Sequence, residues 1–148
     1  MPTPLRFLAV LLLLATTALA QPRAETQLVR AQLLADTTAI VPGQPFQAGL
    51  LLEMADGWHT YWEYSGDSGL PTTIDWELPE GFSAGPILWP VPEAKLEPGD
   101  IQTYAYSGRV LLLTTITPGA SISGNITLKA KADWLVCKET CIPGGAEV

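Results

Sequence analysis

Both cysteines of the 148-residue chain lie in one short stretch, Trp134-Leu135-Val136-Cys137-Lys138-Glu139-Thr140-Cys141-Ile142-Pro143-Gly144-Gly145. Two thiols so placed can form a structural bridge, exchange electrons with another disulfide, or hold a soft metal ion. A bridge requires Cα atoms within roughly 4.4 to 6.8 Å, whereas four steps of extended strand cover ~13 Å. Lys138-Glu139-Thr140 must therefore fold back as a tight turn, or the segment must be helical. The turn is favoured, because a strand-like run leads in and Pro143 with its glycines leads out. So short a closed loop removes little entropy from the unfolded chain, which makes the pair an inefficient staple and a better candidate for exchange. Lys138 favours a thiolate at Cys137 and Glu139 opposes it, so the local charges give no direction. Exchange, an inert bridge and metal binding all stay open at this point.

The other chemical candidates are weaker. Two thiolates could take Cu(I), or Zn(II) with His59 and a fourth ligand. His59 is the only histidine; within Trp58-His59-Thr60-Tyr61-Trp62 it is expected to pack among aromatics with one ring nitrogen hydrogen-bonded, and no metal is assigned. Asp67, Ser68 and His59 could be drawn as a hydrolase set, but Ser68 has no G-x-S-x-G elbow. Asn125-Ile126-Thr127 matches a glycosylation sequon and reads as a solvent-facing stretch in mid-strand. Trp58, Tyr61, Trp62, Trp76, Trp89 and Trp134 are expected to fill a core rather than form a binding surface. The Gly66-Asp67-Ser68-Gly69 turn is explained by positive-φ demands without invoking a partner.

The elements that must position these residues are short. Turn formers recur at Pro42-Gly43, Asp56-Gly57, Gly66 to Gly69, Pro79-Glu80-Gly81, Pro98-Gly99-Asp100, Ser107-Gly108, Pro118-Gly119 and Ser123-Gly124. Between them run β-branched and aromatic segments: Phe46 to Met54, Trp58 to Tyr64, Thr72 to Leu78, Arg109 to Ile116 and Ile122 to Val136. In the last, Ile122, Ile126, Leu128, Ala130 and Ala132 share one parity and polar residues the other, the period of a half-buried strand. Residues 24 to 35 fit a strand or a helix. The pattern predicts an all-β, immunoglobulin-like antiparallel sandwich.

The amino terminus reads as an export signal. A basic segment ending at Arg6 precedes an apolar run from Phe7 to Ala15 and a small-x-small site at Ala18-Leu19-Ala20. Cleavage assigns residues 1–20 to a signal peptide and 21–148 to one domain, leaving 128 of the 148 residues. Loss of Arg6 moves the formal charge by one, from −7 to −8. That balance argues against nucleic acid and anionic membrane surfaces as partners. Seven residues after Cys141 leave little room for a returning strand, so a fragment of a longer protein is expected.

Taken in order, Gly57-Trp58-His59-Thr60-Tyr61-Trp62, Gly66 to Thr72, Trp89-Pro90-x-Pro92, Tyr104-Ala105-Tyr106-Ser107-Gly108 and Trp134 to Gly144 resemble the amino-terminal periplasmic domain of DsbD-type thiol:disulfide interchange proteins. The branch that includes the suppressor of copper sensitivity protein B is the more similar. The resemblance implies a periplasmic Ig-like sandwich in which Cys137 and Cys141 are the exchanging, catalytic pair. It implies electrons from a membrane-embedded donor domain, on the same or a separate chain, passed to oxidised periplasmic thioredoxin-fold proteins. No organic cofactor is needed for that exchange, and the similarity to this branch implies copper tolerance as a role. In the best-known members the cysteines are more widely spaced and a loop with an aromatic cap covers them. Here the segment around Glu97 to Ile101 would stand in the cap position, and the nearest aromatics expected to shield the pair are Tyr104 and Tyr106.

Overall fold

The computed structural model describes residues 27–148 except Ser123; the leader assigned to residues 1–20 lies outside the described residues. Ten strands follow one another with no helix among the described residues. They are β1 (Val29–Ala35), β2 (Phe46–Met54), β3 (His59–Gly66), β4 (Thr73–Glu77), β5 (Ser83–Leu88), β6 (Glu93–Glu97), β7 (Ile101–Ser107), β8 (Arg109–Thr117), β9 (Lys129–Cys137) and β10 (Cys141–Glu147). One sheet has the order β1-β2-β8-β5; the other runs β10-β9-β3-β7-β6, with β4 also pairing β9. All strand pairs are antiparallel. The expected Ig-like sandwich is the fold that forms.

Alternation on each strand builds the core between the sheets. From one side come Val29, Leu50, Leu52, Met54, Val110 and Leu112, and from the other Tyr106, Ala132, Trp134 and Val136. Trp58, Trp62 and Trp89 pack against this cluster and Trp76 against a second one around Phe46, Ala48 and Ile116. The tryptophans thus serve the core, as their size favours.

Three sequence expectations change. Of residues 24 to 35, Val29–Ala35 form strand β1, paired along its whole length with β2, and residues 24–26 lie outside the described residues. The run Ile122 to Val136 contributes strand only from Lys129. β4 ends opposite Lys129, and Gly124 has φ of 78°, so the preceding residues lack a ladder neighbour and Asn125 is exposed in a loop. Their parity still holds, since Leu128 packs against the second core cluster.

A return strand does follow Cys141 directly. β10 pairs β9 residue for residue from Cys141 opposite Cys137 to Glu147 opposite Lys131. It is an edge strand, where a proline's missing N–H can face outward, so Pro143 fits inside it. Gly144 is required there: a β-carbon on it would lie 2.6 Å from the Trp134 indole nitrogen. Pro143-Gly144-Gly145 therefore continues the sheet over a bulky neighbour instead of redirecting the chain.

Candidate functional site

The cysteines sit at the closed end of the β9–β10 hairpin. Lys138, Glu139 and Thr140 form its loop, with the Lys138 N–H donating to the Thr140 carbonyl at 3.3 Å. Directly opposed residues of an antiparallel pair bring their side chains together. Cys137 and Cys141 are such a pair, Cα to Cα 4.1 Å, and are joined by a disulfide. The tight turn required by the spacing is the one that forms.

The two sulfurs meet different surroundings. Cys137 is 3 % exposed and packs with Tyr61 and Ala105, with Leu135 alongside. Cys141 is exposed. Cys141 is thus the more accessible residue of the pair. The Lys138 side chain extends over the Asp56-Gly57 turn, so that a β-carbon on Gly57 would lie 3.0 Å from it. Beside the hairpin, Leu70, Pro71, Trp134, Leu135 and Pro143 line an apolar cleft of about 330 Å³.

β3 lies beside β9 in the same sheet and supplies groups that spacing did not connect to the pair. His59 pairs with Cys137 across the strands. Tyr61, two residues on and so on the same face, places its hydroxyl 3.9 Å from Cys141 Sγ. The His59 Nε2 lies 3.2 Å from that hydroxyl and 3.4 Å from Glu97 Oε1. The Thr103 hydroxyl in turn donates to Glu97 Oε1 at 3.1 Å. A continuous polar chain therefore leads from the exposed sulfur through Tyr61 and His59 to Glu97.

The physical setting of each member is distinct. Burial lowers the His59 pKa below its ordinary value, and Lys95 lowers it further, while Glu97 and Glu93 pull the other way. Burial, aided by Glu97, raises the pKa of Tyr61. The Tyr61 ring meets His59 edge to face, with centroids 5.2 Å apart. His59 thus packs against an aromatic with one nitrogen hydrogen-bonded, as its aromatic neighbourhood predicts.

Neither tyrosine expected to shield the pair stands at it. Tyr106 belongs to the main core and donates its hydroxyl to the Pro90 carbonyl at 2.7 Å. Tyr104 packs edge to face on Trp62 at 5.9 Å. The aromatic group at the disulfide is Tyr61, and the segment beginning at Glu97 contributes a carboxylate rather than a ring. Asp67 is engaged with the Gln102 backbone, its Oδ2 accepting at 2.9 Å, while His59 faces Glu97, so the hydrolase set is not assembled. Among the described residues no group of three or more His, Cys, Asp or Glu side chains could hold a metal ion.

Sequence reasoning named His59, Tyr61 and Glu97 but did not connect them with one another at the cysteine pair. The i, i+2 spacing of His59 and Tyr61 on a strand was the available signal. Nothing local connected either residue to a hairpin eighty positions later.

An Ig-like sandwich that carries one buried and one accessible sulfur on a hairpin defines a class of β-sheet domain suited to thiol–disulfide exchange. The chain belongs to the family described as thiol:disulfide interchange protein DsbD, N-terminal, whose model matches residues 30–148. Family and disulfide together support a thiol–disulfide exchange domain. Among solved structures, the crystal structure of the N-terminal periplasmic domain of ScsB from Proteus mirabilis is similar with a TM-score of 0.61 and 22 % identity. The match covers 86 % of this chain and 47 % of that one, so the chain spans about half of that structure. Comparison with curated proteins yields no match.

Proposed function

We propose that this chain is a periplasmic electron-transfer domain of a protein-disulfide reductase system, with Cys137 and Cys141 as its catalytic pair. It takes two electrons from a membrane-embedded donor domain and delivers them to oxidised thioredoxin-fold proteins. The observation that carries this reading is the hairpin disulfide with one sulfur accessible and the other covered. The export-like leader, the family match and the periplasmic location stated for the similar ScsB domain support the compartment.

The asymmetry supports one order for the steps. A donor thiolate attacks Cys141 Sγ, the S–S bond breaks and Cys137 leaves as thiolate; the donor's second thiolate then displaces Cys141, and the donor becomes a disulfide. In delivery the Cys141 thiolate attacks the partner disulfide and expels one partner thiolate. Cys137, already adjacent, attacks Cys141 Sγ and releases the second, which restores the bridge. Two electrons enter in the first exchange and two leave in the second, and the partner thiolates take up the protons. The apolar cleft beside Leu135 and Pro143 offers a surface on which a partner can rest during the mixed-disulfide stage.

The reduction potential of the pair tests the reading. Equilibration of the domain in graded thiol buffers, with alkylated cysteines counted by mass, should give a value between roughly −180 and −270 mV. A value below about −300 mV would mark an inert bridge. Stoichiometric Cu(I) binding that survives glutathione competition, without electron transfer, would mark a copper-handling domain instead.

A further inference from the structure

Thiolate, not thiol, performs exchange, and an exposed cysteine near its ordinary pKa of about 8.5 is mostly protonated at neutral pH. Something must favour the ionised form of Cys141. Lys138 is the nearest candidate in sequence, but its side chain lies over the Gly57 turn. The group that meets the sulfur is the Tyr61 hydroxyl, at 3.9 Å. With the sulfur bound in the disulfide, the hydroxyl is the only possible donor of that pair.

We infer that Tyr61 is a catalytic residue that donates its hydroxyl hydrogen to the Cys141 thiolate, and that His59, anchored by Glu97, is the positioning residue that aims this hydroxyl at the sulfur. The inference rests on the exchange reading of the cysteine pair and names the group that activates it. A hydrogen bond to an ionised sulfur is stronger than one to a neutral thiol or a disulfide sulfur. The donor therefore stabilises the thiolate selectively and lowers the thiol pKa.

The arrangement is built for that single direction. A tyrosine has one hydrogen to give, and an imidazole nitrogen that accepted it would turn it away from the sulfur. Glu97 Oε1 lies 3.4 Å from the same His59 Nε2 that faces Tyr61. A carboxylate can only accept, so it favours the tautomer with hydrogen on Nε2. That N–H then also points toward the Tyr61 oxygen and leaves the hydroxyl hydrogen free for Cys141. Thr103, fully buried, donates to the same Glu97 oxygen at 3.1 Å and fixes the carboxylate. Lys95 and Glu93, on the same strand as Glu97, are the other charged groups that act on His59. Tyr61 itself is 1 % exposed, so water does not compete for its hydroxyl.

The test follows the alkylation rate of Cys141 in the reduced domain from pH 5 to 10, located by peptide mass, in wild type, Tyr61→Phe, His59→Asn and the double variant. Tyr61→Phe should raise the midpoint by about one unit, which is about a tenfold loss of rate near neutral pH. His59→Asn should raise it by less. The double variant should match Tyr61→Phe alone, because His59 acts through Tyr61. A purely structural role for His59 would lower stability without moving the midpoint.

An unshifted midpoint in a folded Tyr61→Phe domain, or additive shifts in the double variant, would overturn the inference. The wild-type protein provides a second route if Tyr61→Phe does not fold. The His59 ring resonance should report the Cys141 titration, and that inflection should vanish in Cys141→Ser; its persistence would overturn the coupling. Reduction of a partner disulfide, measured on the same samples, separates the two readings. Variants that exchange with an unshifted midpoint remove only the role of Tyr61, whereas a wild-type domain that reduces no partner removes the exchange reading and this inference with it.

Discussion

Gly69 lies so close to the ring of Tyr61 that a β-carbon added to it would overlap Cε1, Cδ1 and Cζ of the tyrosine. The same glycine has φ of 96°, in the left-handed half of the map that side chains avoid. Two independent demands therefore fall on one position of the Gly66-Asp67-Ser68-Gly69 loop, and one of them concerns the tyrosine beside the disulfide. The loop is also held by the Ser65 hydroxyl, which donates to the Gly69 carbonyl at 3.0 Å, and by a bridge between Tyr61 and Pro71. It acts as the side wall that keeps Tyr61 beside Cys141.

Gly69→Ala should accordingly destabilise the domain by about 2–4 kcal/mol, combining the backbone strain of a side chain at positive φ with overpacking against a buried ring. Urea unfolding measures it. Because relief requires the loop or the ring to move, the alkylation rate of Cys141 should change in the same variant. A loss under about 0.5 kcal/mol, the range of an ordinary surface substitution, would show that the close approach carries no weight.

Much of this fold is legible in the chain, and the reasons differ by element. Phe46 to Met54 reads as a strand and is one with those bounds, because alternating burial from Leu50 to Met54 and glycine-bearing turns agree. The hairpin turn at Lys138 to Thr140 follows from the short reach of a disulfide. β5, β6 and β10 are harder to see: Pro86 interrupts the first, Glu93, Lys95 and Glu97 charge the second, and Pro143-Gly144-Gly145 fills the third. All three lie at sheet edges, where partners on one side suffice and the apolar signal is weakest. The polar chain from Tyr61 to Glu97 was hidden for another reason. It is assembled by the order in which β9, β3, β7 and β6 lie side by side, a long-range arrangement that no local window contains.

Removal of the disulfide should cost little. Cys137→Ala with Cys141→Ala opens a loop closed by so few residues that loop-closure entropy assigns it about 2 kcal/mol, against nearly 5 for a loop of about 100 residues. The double variant should keep its β-sheet circular dichroism and lose about 2 kcal/mol or less in urea unfolding. Electron transfer to a partner disulfide should be abolished. Transfer that persisted would remove these cysteines from the mechanism, and a stability loss above about 4 kcal/mol would point to a structural bridge.

His59 makes stability depend on mildly acidic pH. Its pKa is lowered in the folded domain, chiefly by burial. Between that value and the ordinary 6.5, the unfolded chain holds the proton more readily, so stability rises with pH through this window. The contribution is fully present above the unfolded value and is lost as pH falls below it. Thermal unfolding of the oxidised domain between pH 7.5 and 5 should show this decline. His59→Asn should flatten it, and an equal decline in that variant would assign the effect to other groups.

Tyr106 predicts the opposite dependence at the alkaline end. Its hydroxyl donates to the Pro90 carbonyl, and burial pushes its pKa up to about 12 from the ordinary 10.0. The folded domain thus retains a proton that the unfolded chain has begun to release, so stability falls as pH rises through 10 toward 12. Above that range the phenolate would have to form inside the core beside Trp134 and Val136, members of the same buried cluster. Phenolate absorbance should accordingly show one tyrosine that ionises only near or with unfolding. Tyr106→Phe should remove that late step and lower stability at pH 7 by about 1 kcal/mol for the lost hydrogen bond. A late step that survives in Tyr106→Phe would belong to Tyr61, whose pKa burial also raises, and a Tyr61→Phe comparison would assign it directly.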